Sequence, residues 1–183
     1  MEQAVIGTEA DATAHGPTLD TIVAKYESAL LRYAARLLNN AAVAQDVVQE
    51  AFIRLSRRWT PGWPDDGRLR QWLYRTTHNA AIDYIRDEQR RRRLYERSAL
   101  EQPGSAPAEA SATLDAADRR RLVLDRIAQL EPSEREVLLL RLQEGMSYAE
   151  IARVTGRRTG TVGCLLHTAT RKLAESLRRA GVI

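Results

Sequence analysis

Residues 98–118, Ser-Ala-Leu-Glu-Gln-Pro-Gly-Ser-Ala-Pro-Ala-Glu-Ala-Ser-Ala-Thr-Leu-Asp-Ala-Ala-Asp, contain almost nothing large enough to bury. Their Pro, Gly, Ser and Ala content cannot repay the entropy of ordering, which predicts a flexible linker with no place in a core. The 183-residue chain is thereby split into two small modules, 19–97 and 119–183. Residues 1–18 are polar and Ala/Thr-rich, without a basic stretch followed by an apolar one. They read as a disordered tail and not as a signal peptide.

Charge follows the same division. Residues 19–97 carry fifteen Lys/Arg against ten Asp/Glu, and residues 119–183 carry thirteen against seven, whereas residues 98–118 hold four acids and no base. Two basic modules flanking an acidic tether are the electrostatic footprint of nucleic-acid binding. No apolar run is long enough to cross a bilayer. Cys164 is the only cysteine, which excludes an internal disulfide and suits a reducing cytoplasm.

Apolar residues recur at three- and four-residue spacing, and no segment alternates with the period of a strand, so the chain is predicted to be all-α. Leu19 to Leu38 places Ile22, Tyr26, Leu30, Tyr33 and Leu37 on one stripe, ending at Asn39-Asn40. Ala41 to about Trp59 does the same with Ala44, Val48, Ala51, Phe52 and Leu55, and its opposite face carries Asp46, Gln49, Glu50 and Arg54. A Pro/Gly-broken loop, Thr60-Pro-Gly-Trp-Pro-Asp-Asp-Gly67, precedes a third helix that starts near Arg68, buries Leu69, Trp72, Leu73, Thr76 and Ala80, and runs into Arg90-Arg-Arg-Arg93. In the second module a helix from Asp118 to about Leu130 is followed by an apparent capping box, Ser133-x-x-Glu136, opening a helix lined by Val137, Leu138 and Leu142.

The last stretch, Ser147 to Leu166, has the pattern of a DNA-reading helix-turn-helix. Ser147 and Glu150 form a capping box, Ala152 is small enough for a second helix to cross closely, and Gly156 supplies a left-handed turn residue. A second helix from about Thr159 buries Val162 and Leu166.

Catalysis has no support in these residues. His15, His78 and His167 are scattered, and there is neither metal-ligand spacing nor a phosphate loop after a strand nor a nucleophile signature. The expectation is a non-enzyme with no cofactor and no metal, His78 being a surface or half-buried helix residue.

Four motifs in register then carry a family resemblance. They are Ala44-x-Asp46-Val-Val-Gln49-Glu50-Ala-Phe52-Ile-Arg-Leu55; Leu69-Arg-Gln-Trp72-Leu73-Tyr74-Arg75-x-x-x-Asn79-x-Ala81-Ile82-Asp83-Tyr84-Ile85-Arg86; Leu130-x-Pro132-x-x-Arg135-Glu136-Val137-Leu138-Leu139-Leu140-Arg141; and Gly145-x-Ser147-Tyr-Ala-Glu-Ile-Ala152. Over roughly residues 19 to 178 the chain resembles a bacterial extracytoplasmic-function sigma factor. The resemblance implies a subunit that binds core RNA polymerase, recognises minus-ten and minus-thirty-five promoter elements and helps melt the start region. An anti-sigma factor is a further candidate partner, and the expected compartment is the cytoplasm.

Residue roles follow as implications of that resemblance. Asp46, Gln49 and Glu50, with Phe52 as support, would meet the polymerase. Trp63, Asn79, Arg86 and Arg90 would serve the minus-ten element; melting needs aromatic platforms for unstacked bases and cations for phosphates. Trp63 has an equal alternative as a cap on the three-helix core. Arg157, Arg158, Thr159, Gly163, His167 and Arg171 would serve the minus-thirty-five element, although Gly163-Cys164-Leu165-Leu166 and Thr168 stand where the family commonly shows basic residues. Gly163 costs about 1 kcal/mol of helix propensity, which points to close DNA approach or to helix packing. The rival reading is a free-standing helix-turn-helix regulator acting as a dimer on a palindromic site. Against it, the chain shows no obvious dimerisation helix and carries a whole extra basic module.

Overall fold

The computed structural model describes residues 17–60, 63, 66–98 and 116–182. The expected tail before Pro17, residues 61, 62, 64 and 65 of the loop, and most of the expected linker lie outside the described residues. Among those described there are seven helices and no strand: α1 (Leu19–Leu38), α2 (Ala41–Ser56), α3 (Gly67–Ser98), α4 (Ala116–Ala128), α5 (Pro132–Leu142), α6 (Tyr148–Thr155) and α7 (Thr159–Arg179).

Local chemistry sets the boundaries. The Thr18 hydroxyl accepts from the Thr21 amide at the start of α1. Asn39 then takes a left-handed conformation, φ 52°, which Asn tolerates better than most residues. The Asn40 side chain accepts from the Ala42 and Val43 amides at 3.1 and 3.2 Å, starting α2 two residues after α1 stops. Asp66 does the same for α3, accepting from the amides of Arg68 and Leu69 at 2.9 and 3.1 Å. With 32 residues α3 is about 48 Å long.

The amino-terminal half is a three-helix unit in which α1, α2 and α3 pack on one another. Ile22, Tyr26, Leu30, Tyr33 and Leu37 of α1 meet Ala44, Val48, Ala51 and Leu55 of α2, and all are buried as their spacing predicts. Phe52 is half-buried against this core. On α3 Leu69, Leu73 and Thr76 are buried, Trp72 and Ala80 only half so.

In the carboxy-terminal half α7 packs on α4, α5 and α6. The expected capping box at Ser133 is not formed. α5 begins instead at Pro132, whose ring pre-sets the helical φ, with Glu131 as a cap that makes no side-chain hydrogen bond. Glu136 is turned away to other partners.

The two halves lie in direct contact. α3 packs on α6, and α1 packs on α5 and α4, so the buried residues of both halves form one contiguous cluster.

Candidate nucleic-acid interface

The helix-turn-helix has the geometry its residues predict. Ser147 Oγ accepts from the Glu150 amide while the Glu150 carboxylate accepts from the Ser147 amide at 2.8 Å, and Gly156 sits at φ 69°. The Ser147 hydroxyl, which donates to the same carboxylate at 2.7 Å, and the Ser147 amide hold the Glu150 carboxyl below its usual range. Ile151, Ala152 and Val154 of α6 and Val162 and Leu166 of α7 are buried where the two helices cross. The front of α7 carries Arg158 as a cap residue whose side chain makes no capping bond.

Arg158, Thr159, His167 and Arg171 are exposed along α7 and Gly163 is half-buried. Arg171 is drawn back by Glu175 one turn on, at 3.3 Å. A Cβ built on Gly163 would touch only the Tyr148 ring, at an ordinary 3.7 Å. Helix packing therefore does not demand a glycine there.

Arg157 is tied down. Its Nε donates to Glu136 Oε1 at 2.7 Å, and Glu136 is only 1% exposed. The same carboxylate faces the other half of the molecule, with His78 Nε2 3.7 Å from its Oε2. His78 is buried at 3% exposure, which corrects the expectation of a surface or half-buried residue.

The Tyr33 hydroxyl and His78 Nδ1 share a hydrogen bond of 3.0 Å whose direction depends on the imidazole tautomer, while Nε2 stands beyond hydrogen-bond range of Glu136 Oε2. Burial, reinforced by the positive charges of Arg157 and Arg86, lowers the His78 pKa to about 4. Burial likewise raises Glu136, with Arg157 pulling the other way. Burial also pushes the Tyr33 phenol well up, so it keeps its proton.

A second set of contacts crosses the seam nearby. Arg70 Nη2 donates to the Glu144 carbonyl at 2.6 Å, and the Tyr74 hydroxyl donates to the Glu144 carboxylate. Arg36 donates to the Gln143 side chain, and Arg135 Nη1 to the Leu37 carbonyl at 3.0 Å. Tyr74 is held edge-on against Tyr33, ring centres 5.8 Å apart. None of these residues was expected from sequence to make a contact between the halves. The signal was present in the spacing of Tyr74, Thr77, His78 and Ala81, a second i, i+3, i+4, i+7 stripe on α3 that is buried.

The remaining candidates fall on two other surfaces. Asp46 and Gln49 are exposed on α2, and Glu50 is part-exposed, bonded to Arg54 at 2.8 Å. Asn79, Arg86 and Arg90 are exposed on α3, with Arg86 3.6 Å from Asp83 and Arg90 3.0 Å from Asp87. Trp63 is half-buried and lies parallel to Trp59, centroids 6.0 Å apart and planes 3° apart. Trp59 packs on the core, so Trp63 covers Trp59. The structure thus spreads the candidates over α2, the α2–α3 loop with α3, and α7.

An all-helical chain with a capped helix-turn-helix in one half and a long, arginine-rich helix in the other is a two-part DNA-reading protein. Residues 22–91 match the model of sigma-70 region 2, and residues 120–173 that of sigma-70 region 4. The chain belongs to the extracytoplasmic-function sigma factors, the alternative sigma subunits that direct RNA polymerase to promoters. Its relatives include the ECF RNA polymerase sigma factor SigL of Mycobacterium tuberculosis, 33% identical across 93% of this chain and 95% of that protein. They also include RNA polymerase sigma-E factor of Streptomyces avermitilis, 37% identical across 90% and 88%. Among solved structures, the sigma factor RpoE of Bartonella quintana, crystallised with the anti-sigma factor NepR, superposes with a TM-score of 0.66 at 21% identity, over 87% of this chain and 96% of that one. CnrH in complex with the cytosolic domain of CnrY gives 0.57 at 23% identity, over 88% of each chain. The partners of this chain are RNA polymerase and promoter DNA. Among the described residues no helix is long and apolar enough to cross a membrane.

Proposed function

We propose that promoter-directed initiation is divided among three surfaces. The exposed face of α2 docks the polymerase through Asp46, Gln49 and Glu50, with Phe52 supporting the face from behind. The loop before α3 captures an unpaired minus-ten base through Trp63. Asn79 reads nearby, and Arg86 and Arg90 hold phosphates once they exchange their own-helix carboxylates for DNA. The front of α7 reads the minus-thirty-five element: Arg157, Arg158 and Thr159 lie at the turn and helix start, where amides and cations meet phosphates, and Gly163, His167 and Arg171 follow along the groove.

The observation that carries this reading is the exposure of polar or basic side chains on three separate elements, each backed by a buried stripe. Stacking on a single-stranded base is worth roughly 1–3 kcal/mol, enough for one indole to matter in opening. The chain works in the cytoplasm, where its polymerase is. It has an anti-sigma partner, as the structurally similar sigma factor RpoE of Bartonella quintana does in its complex with NepR. Transcription reconstituted with core polymerase, followed by sequencing of the transcripts, tests the proposal. Start-site-specific RNA should appear only when both are present; specific binding by the free chain to a palindromic site, with no effect on the polymerase, would favour the dimeric regulator instead.

A further inference from the structure

We propose that Glu134 and Glu136 of α5 are positioning residues for promoter reading: two buried carboxylates that fix the tilt of the recognition helix α7 from both ends, and with it the base pairs α7 meets. The inference rests on the reading of α7 given above, and it assigns neither acid a contact with DNA.

The two acids are 6% and 1% exposed. Lys172 Nζ donates to Glu134 Oε1 at 2.7 Å, and Arg157 Nε donates to Glu136 Oε1 at 2.7 Å. Residues two apart on a helix are about 200° apart around it. The carboxylates therefore leave α5 on nearly opposite sides, one towards the turn before α7 and the other towards a point well along it. From Thr159 to Lys172 α7 rises about 20 Å. Each anchored cation adjoins a residue left for the minus-thirty-five element, since Arg157 precedes Arg158 and Lys172 follows Arg171. The exposed Cys164, His167 and Arg171 lie between the anchors, on the face opposite the buried Val162, Leu166, Ala169 and Leu173.

Stability alone is a poor reason for such pairs. Desolvation of buried charges offsets their attraction, and apolar residues of similar volume hold a core at least as well. Among the described residues the Oε2 atoms of both acids have no hydrogen-bond partner, which adds to the cost of burying them. What an ion pair has and apolar contact lacks is direction. Ridges of apolar side chains fit one another over a range of roughly 15–20° about a preferred crossing angle. Over 20 Å a swing of 15° carries the far end of a helix about 5 Å, more than one base-pair step of about 3.4 Å. A single anchor would leave α7 free to pivot. Two anchors, one at its start and one near its middle, remove the swing.

The test is selection by holoenzyme from a duplex library built on a promoter found by transcript sequencing and randomised over the minus-thirty-five segment. The wild type should enrich one class of sequence. Glu134→Gln and Glu136→Gln keep the shape and an acceptor but lose the charge; each should lower the enrichment about tenfold, roughly the discrimination of one base pair, with little change in binding to non-specific duplex. Lys172→Gln, at a position 44% exposed, should lose the same factor and serves where a glutamate variant fails to fold by circular dichroism. Exchanging the partners, Glu134→Lys with Lys172→Glu, should recover most of the enrichment that either single change loses. Leu177→Ala weakens the same half without touching either pair, and below its Tm it should select as the wild type does. The clamp is overturned if the folded variants match the wild-type enrichment, if the folded exchange variant recovers nothing, or if Leu177→Ala loses as much as the others. Absence of enrichment by the wild type would instead remove the α7 reading, and the clamp with it.

Discussion

Gly163→Ala separates two demands on the recognition helix. Gly163 is the fifth residue of α7, inside the helix, where glycine is less favourable than alanine by about 0.8–1.0 kcal/mol. The new methyl would lie 3.7 Å from Tyr148 Cε2 and meet nothing else within 4 Å, so it adds a few tenths of a kcal/mol of dispersion without a clash. The expected gain is about 1 kcal/mol, a rise in Tm of roughly 2–4 °C for a chain of this size, read by thermal unfolding followed by circular dichroism. With packing removed as the reason for a bare backbone, close approach of DNA is the explanation left. Affinity of the holoenzyme for a minus-thirty-five duplex should therefore fall while stability rises. A lower Tm would refute the reading of the space around Gly163, and an unchanged DNA affinity would refute its placement against DNA.

Four further outcomes follow from the same geometry. His78 is neutral in the fold with a pKa near 4 against an ordinary 6.5, so the unfolded chain takes up the proton first and stability drops as pH falls from about 6.5 towards 4. The full linkage is about 3 kcal/mol, partly offset by Glu136, whose raised pKa acts in the opposite sense; the slope of Tm against pH should flatten in His78→Asn. Trp63→Ala should reduce permanganate reactivity of the open complex far more than initial promoter binding, and identical footprints would reduce Trp63 to a cover for Trp59. Reversing charge at Asp46 and Glu50 should weaken core polymerase binding with Tm nearly unchanged. Arg158→Ala should shallow the log-affinity against log-salt line by about one unit; Arg157→Ala should cost stability as well, since it strips the partner from buried Glu136.

Much of the architecture was legible because each helix answers to a local cause. The α1 stripe, the Asn39-Asn40 break and the Ser147–Glu150 box each sit within a few residues of the effect they produce, and all stand in the structure where their spacing predicts. The family motifs likewise led to the sigma factors. The seam between the halves was not legible from one stripe per helix. Glu136 read as half of a capping box because Ser133 precedes it by three, yet Pro132 starts the helix and frees Glu136 for Arg157 and His78. Nothing local to Glu144 marks it as the partner of two residues about seventy positions away. Nor does the spacing of Trp59 and Trp63 show that their rings stack, which they do where the Trp63 amide donates to the Thr60 carbonyl at 3.1 Å.

The carboxylate of Glu136, shared by Arg157 of its own half and His78 of the other, bears on how freely such proteins can be recombined. A chimaera joining α1–α3 of one sigma factor to α4–α7 of another inherits position 78 from one parent and positions 136 and 157 from the other. Where the second parent lacks the acid, His78 would face an unmatched cation at position 157; where the first lacks the histidine, the acid would lose its neighbour across the seam. Exchange of promoter preference between relatives should therefore succeed most often when all three positions travel together, even though none of the three adjoins the point of fusion.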